Sequence, residues 1–552
     1  MALRESEFVS CDVLVIGGGG AGLRAAITAR EMGARVTMVS KSRIGYGNNT
    51  YLSKTAFAAA LGDPDPRDNP EIHFKDSVMG GRFLNDQGLL RIMTREVGSQ
   101  IPFLKKCGVT FRKEEGKIAF THVPGHTYPR HVWGERQTGK DYTLPLRAYA
   151  RRIGIRFVEK VFITRLFRSD QGFTGAAGID ATGKFFIFAA GSAVVATGGF
   201  SQVYLYTNNA SGMSGDGIGL CYDLGIPAKD IEFTQFYPTA TGHGATHILL
   251  YEAFVFRAGG ILRNAGGEDI IAKHGLDDPL AMTRDRLARA IMEEIHQGHH
   301  VEGGVLMDLG GVPSEDINRL KHLLPPGSSP DQRRFIVSPT AHFCMGGIVV
   351  DKNAATRIPG LFAAGEVSAG VHGANRLGGN ALAEVFALGG VAGRNAALAA
   401  RDLNPSQRAE REAAQEKERL ESRFFQGEKD LRTLRRSIKE LMWNQAGIIR
   451  NKAGLDRALE HLDGLKASLA ECRIKDGKAL IKSLELENML LLSQMVCRAA
   501  LLRTESRGAH FRSDYPEEDN RRWLQNVVVQ KVDSEMTLQT IPVSLDPAGP
   551  RP

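Results

Sequence analysis

The chain begins with a stretch that leaves it few choices of fold: Asp12-Val13-Leu14-Val15-Ile16-Gly17-Gly18-Gly19-Gly20-Ala21-Gly22. An apolar run enters a glycine cluster, and a helical pattern follows from Leu23 to Arg30. That order is strand, tight turn, helix. Gly17, Gly19 and Gly22 satisfy G-x-G-x-x-G, the spacing that lets a backbone turn sharply, approach a pyrophosphate and pack helix on strand. Gly20 and Ala21 complete the turn. Free N–H groups and the helix dipole at this point favour bound phosphate. The expected class is α/β with a Rossmann-like nucleotide-binding domain.

The second parallel strand is expected at Arg35 to Val39. In an NAD-type unit an acidic residue usually ends this strand and holds ribose hydroxyls. Here it ends in Ser40-Lys41, which weakens an NAD reading. Gly45 to Tyr51, with Asn48 and Asn49, forms a second glycine loop, and the small residues around Ala56 to Ala60 suit a flat ring system. Phe157 to Ile179 reads as strands. Phe185 to Phe200 is the longest uncharged apolar run, and Gly191-Ser192 interrupts it, so a buried hairpin or strand pair is expected. It ends in Thr197-Gly198-Gly199. Ser214-Gly215-Asp216-Gly217 opens a helical stretch that Gly225 caps.

Glycine punctuation then changes. Residues 239–339 read as a more helical domain inserted into the first, whose two parts are 1–238 and 340–404. Beyond 405 the pattern is charged and helical to the end, giving a C-terminal domain over 405–552. Length matches this division, since 552 residues exceed one core. The net charge of +8 is mild for this length and suits an anionic partner or substrate. No Lys/Arg block with interleaved aromatics points to nucleic acid. Six scattered cysteines, none in C-x-x-C, argue against a disulfide framework or an iron–sulfur or zinc site within the chain. The spacing of His296, His299 and His300 lacks regular ligand geometry, so no metal site is expected. No signal-peptide pattern precedes the first strand, and a cytoplasmic protein is expected.

At this point the chain resembles the succinate dehydrogenase/fumarate reductase flavoprotein family, which includes L-aspartate oxidase and the flavoprotein subunit of adenylylsulfate reductase. The resemblance rests on Gly17–Gly22, Ser40-Lys41, Ala196–Gly199, Ser214–Gly217, Thr340-Ala341-His342, Gly365-Glu366, His372–Gly378 and Arg503–His510. It implies FAD, a capping domain of α+β type over the insertion, and a helical C-terminal domain. It places Ser40 and Lys41 near the adenosine ribose and Asp216 on a flavin-binding loop. Gly365 and Glu366 fall at the ribose or ribityl chain, and Asn380, Ala381 and Leu382 against the isoalloxazine. Membrane-complex members carry a histidine in the second glycine loop that bonds covalently to flavin. Here the loop reads Gly47-Asn48-Asn49-Thr50, so dissociable FAD is expected.

The implied chemistry is hydride exchange between flavin N5 and a carbon next to a carboxylate. His342 and Arg376 match the pair that grips one substrate carboxylate, and Arg284 matches the proton donor or acceptor. Gln235-Phe236-Tyr237-Pro238-Thr239 has tyrosine where the family has histidine. The segment from Glu252 to Gly260 breaks the family's acidic pair, displaces its arginine to Arg257 and adds Phe254 and Phe256. Tyr237, Phe254 and Phe256 are expected to make that end of the substrate site more apolar. The implied role is a catalytic subunit exchanging electrons with an iron–sulfur partner, peripheral to the inner face of a membrane through its partners. The alternative is a stand-alone oxidase like L-aspartate oxidase.

Overall fold

The computed structural model describes residues 3–54, 56–241, 247–329, 331–402, 408–547 and 549–552. The central sheet has seven strands. Ser6–Ile16 lies in the middle, parallel to Val36–Ser40 on one side and to Phe185–Val195 on the other. Arg156–Glu159 adds a further parallel strand outside Val36–Ser40. Val9, Val13, Leu14 and Val15 are fully buried, as strands covered on both faces require. Helix Gly20–Glu31 follows the glycine turn and packs against the long helix Asn380–Asp402.

Phe185–Val195 is one continuous strand, not the hairpin expected from Gly191-Ser192. It pairs antiparallel with Gly172–Asp180 as far as Ala189, then parallel with Leu361–Ala363 from Ala193. The glycine and serine lie where one edge of the strand changes partner, so the break in side-chain size marks a handover between neighbours.

The residues between the two halves of this body form a five-stranded antiparallel sheet in the order His247–Ile248, Thr234–Thr241, Arg334–Cys344, Val305–Asp308, Ile261–Arg263. Helix Arg284–His296 packs on it. This region is more β-rich than its sequence suggested. Positions 238 and 339 both fall inside the two long strands that carry the chain out and back, and position 405 lies outside the described residues.

Four long helices, Arg408–Glu421, Leu431–Ala446, Lys452–Ala470 and Gly477–Leu502, dominate the C-terminal part, with the short helix Asn520–Trp523 after them. A hairpin, Gln525–Val532 with Glu535–Pro542, then returns to pair with Ala228–Lys229. A buried ionic cluster ties this end to the rest. Arg503 donates to Glu232 (2.8 Å) and Glu505 (3.0 Å), and Arg507 grips both oxygens of Glu505 at 2.8 and 2.9 Å. Removing one partner from such a cluster leaves a buried charge uncompensated. Arg503→Ala is therefore expected to lower stability by about 3–5 kcal/mol in a urea unfolding titration.

A second expectation follows from three buried histidines. The rings of His73 and His126 lie tilted with centroids 5.8 Å apart, and those of His126 and His131 meet edge to face at 5.5 Å. Burial draws His73 down to about 3, His131 to about 4, and His126 well below the ordinary range. Below pH 6.5 the unfolded chain takes up protons that the folded one refuses. Stability is then lost as pH falls, by about 1.4 kcal/mol per pH unit for each such histidine. Melting temperature should drop steeply between pH 7 and pH 5, and His73→Gln should flatten that slope.

Candidate functional site

A cavity of about 650 Å³ runs from the glycine turn to the inserted sheet. One end is lined by Gly17, Gly19, Gly20, Ala21, Ser40, Lys41, Asn48, Asn49, Thr197, Gly198 and Asp216. These come from the C-terminal ends of parallel strands and the loops after them, the expected ligand position in such a sheet. At Gly17, φ is +125° and a Cβ would fall 2.1 Å from the carbonyl oxygen of Ala196, so only glycine fits. Gly22 does not line the cavity; a Cβ there would meet the Gly17 carbonyl at 2.2 Å, so it serves helix–strand packing. The N-cap residue Gly19 gives helix Gly20–Glu31 no side-chain cap; Gly20 N–H donates to Thr50 Oγ1 (3.3 Å), and the next N–H groups, of Ala21 and Gly22, are left for a ligand.

Other expected residues are more committed. Lys41 faces the cavity, but its ammonium binds Asp216 (2.6 Å), Glu485 (2.8 Å) and Ser214 (2.9 Å). Asn48 caps helix Asn49–Leu52, and Asn49 donates to Asn209 (2.6 Å) and Glu366 (2.9 Å). Burial raises Glu366 to about 7. Ala381 and Leu382 reach the cavity. The side chain of Asn380 turns away, to His73 (2.8 Å) and Ser77 (2.9 Å).

At the other end of the cavity stand Tyr237, Arg284, His342 and Arg376. Tyr237 and His342 sit on the two long paired strands of the inserted sheet, Arg284 is the first residue of its helix, and Arg376 lies in the loop before Asn380–Asp402. Gln235, which has no assigned role in the sequence motif, joins them. Its amide oxygen accepts from Arg376 Nη2 (2.9 Å) and Arg284 Nη1 (3.3 Å). Its NH2 donates to Asn375 Oδ1 and the Arg376 carbonyl, both at 2.8 Å. Asn375 in turn donates to Asp285 (2.8 Å), next to Arg284.

The charges are set by burial and neighbours. Arg284 pairs with Glu252 at 2.9 Å, and Tyr237 donates to the other oxygen of Glu252 at 2.5 Å. Burial is the strongest influence on Arg284 and opposes its charge, but Glu252, Tyr237 and Tyr251 together outweigh it and hold the pKa above that of an ordinary arginine. Arg376 has no carboxylate in hydrogen-bond contact among the described residues. Burial, then Arg284, pulls it down to about 9, and its Nε is buried without a partner. Burial and the two arginines keep His342 neutral, its Nδ1 bonded to Asn208 Oδ1 at 3.1 Å. Arg284 has its carboxylate in Glu252, whereas Arg376 has none, and with a neutral imidazole and an orphaned donor beside it this end of the pocket suits an anion.

Glu252 and Arg257 do not line the cavity. Glu252 acts through Arg284 and Tyr237, while Arg257 is exposed and donates to the Glu252 carbonyl (3.1 Å). Phe254 is fully buried in the core of the inserted region and Phe256 packs near His122, so neither is part of the cavity wall. Of the three aromatic residues expected there, only Tyr237 faces it. Asn208 and Asn209 were missed because a single amide carries no periodic or motif signal; Gln235 stood in a quoted motif but was given no role.

The nucleotide end fits FAD on its own geometry. It combines a glycine turn where Gly17 and Gly22 admit no Cβ, a helix N-terminus without a cap from its N-cap residue and a buried Thr197 hydroxyl with no partner. The sequence matches the FAD binding domain model over residues 12–382 and the fumarate reductase flavoprotein C-terminal model over 435–551. It is 36% identical to one of the subunits of fumarate reductase (CoM/CoB) from Methanothermobacter marburgensis, covering 96% of this chain and 98% of that one. It is 33% identical to L-aspartate oxidase of Saccharolobus solfataricus, covering 93% and 97%. The fold superimposes on E. coli quinol fumarate reductase with a TM-score of 0.91, at 28% identity and 99% coverage of both chains. The chain belongs to the succinate dehydrogenase/fumarate reductase flavoprotein family and is an FAD-dependent oxidoreductase.

Proposed function

We propose that this protein is a catalytic flavoprotein subunit that reduces, or forms, a C–C double bond next to a carboxylate, with electrons passing to or from an iron–sulfur partner. The observation that carries this reading is that Arg284, Arg376 and His342 stand in the cavity wall, the two arginines joined behind it by Gln235, with Glu252 paired to Arg284. When bound, FAD supplies the two-electron exchange. The chain's own residues do the rest. Arg376 and neutral His342 grip one carboxylate, and a paired guanidinium suits both of its oxygens. Arg284 donates or accepts the proton, and Glu252, one hydrogen bond away, restores it. Tyr237 spends its hydroxyl on Glu252 and turns its ring toward His342 (5.3 Å), so the second end of the substrate meets a ring rather than the family's histidine. No helix among the described residues is long and apolar enough to cross a membrane, so membrane association in this reading is through partner subunits.

A stand-alone oxidase is the second reading, favoured by the 33% identity to an L-aspartate oxidase. Peroxide release with an amino acid would support it; copurification of an iron–sulfur protein supports the first.

Three outcomes test the proposal. Arg284→Ala should keep its flavin absorbance and lose about 10²–10⁴-fold in turnover, the usual span for a general acid; unchanged turnover removes Arg284 from the chemistry. Gln235→Leu deprives two buried guanidiniums of an acceptor, each such bond being worth about 1.5–3 kcal/mol. Carboxylate affinity should fall at least tenfold in a spectral titration. Because the second glycine loop offers Asn48 and Asn49, acid precipitation should leave the yellow colour in the supernatant; a yellow pellet would show a covalent link.

A further inference from the structure

Lys54 lines the same cavity and plays no part in the chemistry above. It follows helix Asn49–Leu52, which begins at the second glycine loop, and its side chain is half-buried. Its ammonium contacts the ring nitrogens of His247 at 3.0 and 3.2 Å and the carbonyl oxygen of Leu323 at 3.3 Å. Neither partner carries negative charge, and no carboxylate pairs with Lys54 among the described residues. A cation sunk in a wall without a counter-ion is costly, and that cost makes it a receptor for an anion. Burial alone draws Lys54 to about 8, so at pH 7 it remains mostly charged.

Its position relative to the catalytic end follows from strand register. His247 pairs with Thr241 on the strand that carries Tyr237. Thr241 lies four steps along the strand from Tyr237, a span of about 13 Å for extended chain. Ile248 and Leu250 line the cavity and, with the ring of Tyr237, give it an apolar wall.

We infer that Lys54 binds a second anionic group of the substrate, which is therefore an unsaturated acid carrying its second negative charge several carbons beyond the carboxylate held by Arg376 and His342. A C4 diacid is too short to engage both. This inference rests on the proposed carboxylate grip and adds the far end of the molecule to it. It also gives Tyr237 a purpose: where shorter substrates need a polar partner, a longer chain needs an apolar surface to pass.

The test is binding to the FAD-loaded protein, read as a flavin difference spectrum. The probes are (E)-2-octenedioate, (E)-2-octenoate and fumarate: a long dianion, a monoanion of equal length and a short dianion. The long dianion should bind at least tenfold more tightly than the monoanion. Lys54→Met should abolish that preference while changing the Kd of the monoanion and of fumarate less than twofold, and Lys54→Arg should retain it. Flavin absorbance at wild-type level confirms that each variant is folded. Equal binding of the two long acids by the wild type, or an unchanged dianion Kd in Lys54→Met, overturns the inference. If Arg376→Ala nevertheless weakens all three probes, the carboxylate reading stands without it. If Arg376→Ala weakens none, both fall.

Discussion

Two largely buried guanidinium groups hydrogen-bond to one buried amide oxygen, that of Gln235. Arg284 and Arg376 repel each other, and the low dielectric strengthens that repulsion. Gln235 holds them together by accepting from both, and Glu252 neutralises only the first. The result is a net positive spot whose missing partner is an organic anion. Arg376, drawn to about 9, is the more exposed to this imbalance and the more stabilised when a carboxylate arrives. The site is therefore built before the substrate comes, with donors fixed rather than recruited.

This arrangement needs parts from five places, two of them the helices Tyr251–Phe254, which carries Glu252, and Arg284–His296, which begins with Arg284. Gln235 and Tyr237 come from the strand leaving the nucleotide-binding body, His342 from the strand returning to it, and Arg376 from the loop before helix Asn380–Asp402. The pairing of Thr234–Thr241 with Arg334–Cys344 shifts register between Gln235 and Phe236. That irregularity lies at the residue that must reach both arginines. The Asn375–Asp285 bond ties the same loop to the helix bearing Arg284, so the inserted region and the flavin-binding body meet through polar contacts at the site itself.

The nucleotide end was legible from the sequence because its constraints are steric and local. Gly17 answers to a single carbonyl, and the strand before it is apolar on both faces. The inserted region was harder to read, because an antiparallel sheet of short strands leaves a weaker periodic signal than a helix. Gly191-Ser192 looked like a turn because a change of strand partner and a chain reversal both call for small residues. Phe254 and Phe256 were expected at the substrate and are absent from its wall, since one side of a short helix faces the core and no spacing rule identified that side. Lys41 was expected near the adenosine ribose; it faces the cavity, but its ammonium is held by Asp216 and Glu485, residues distant in sequence. Gln235 stood in a recognised motif, yet its role depends on partners 49 and 141 residues away.

The most direct measurement is the visible spectrum of the purified protein, supplied with FAD and titrated with a short unsaturated monocarboxylate such as crotonate. A positive, water-poor wall beside the flavin predicts a flavin band that shifts along a saturable isotherm, and a weaker isotherm in Arg376→Ala. Protein that stays colourless with FAD present, or a band that crotonate leaves unmoved, would contradict the account.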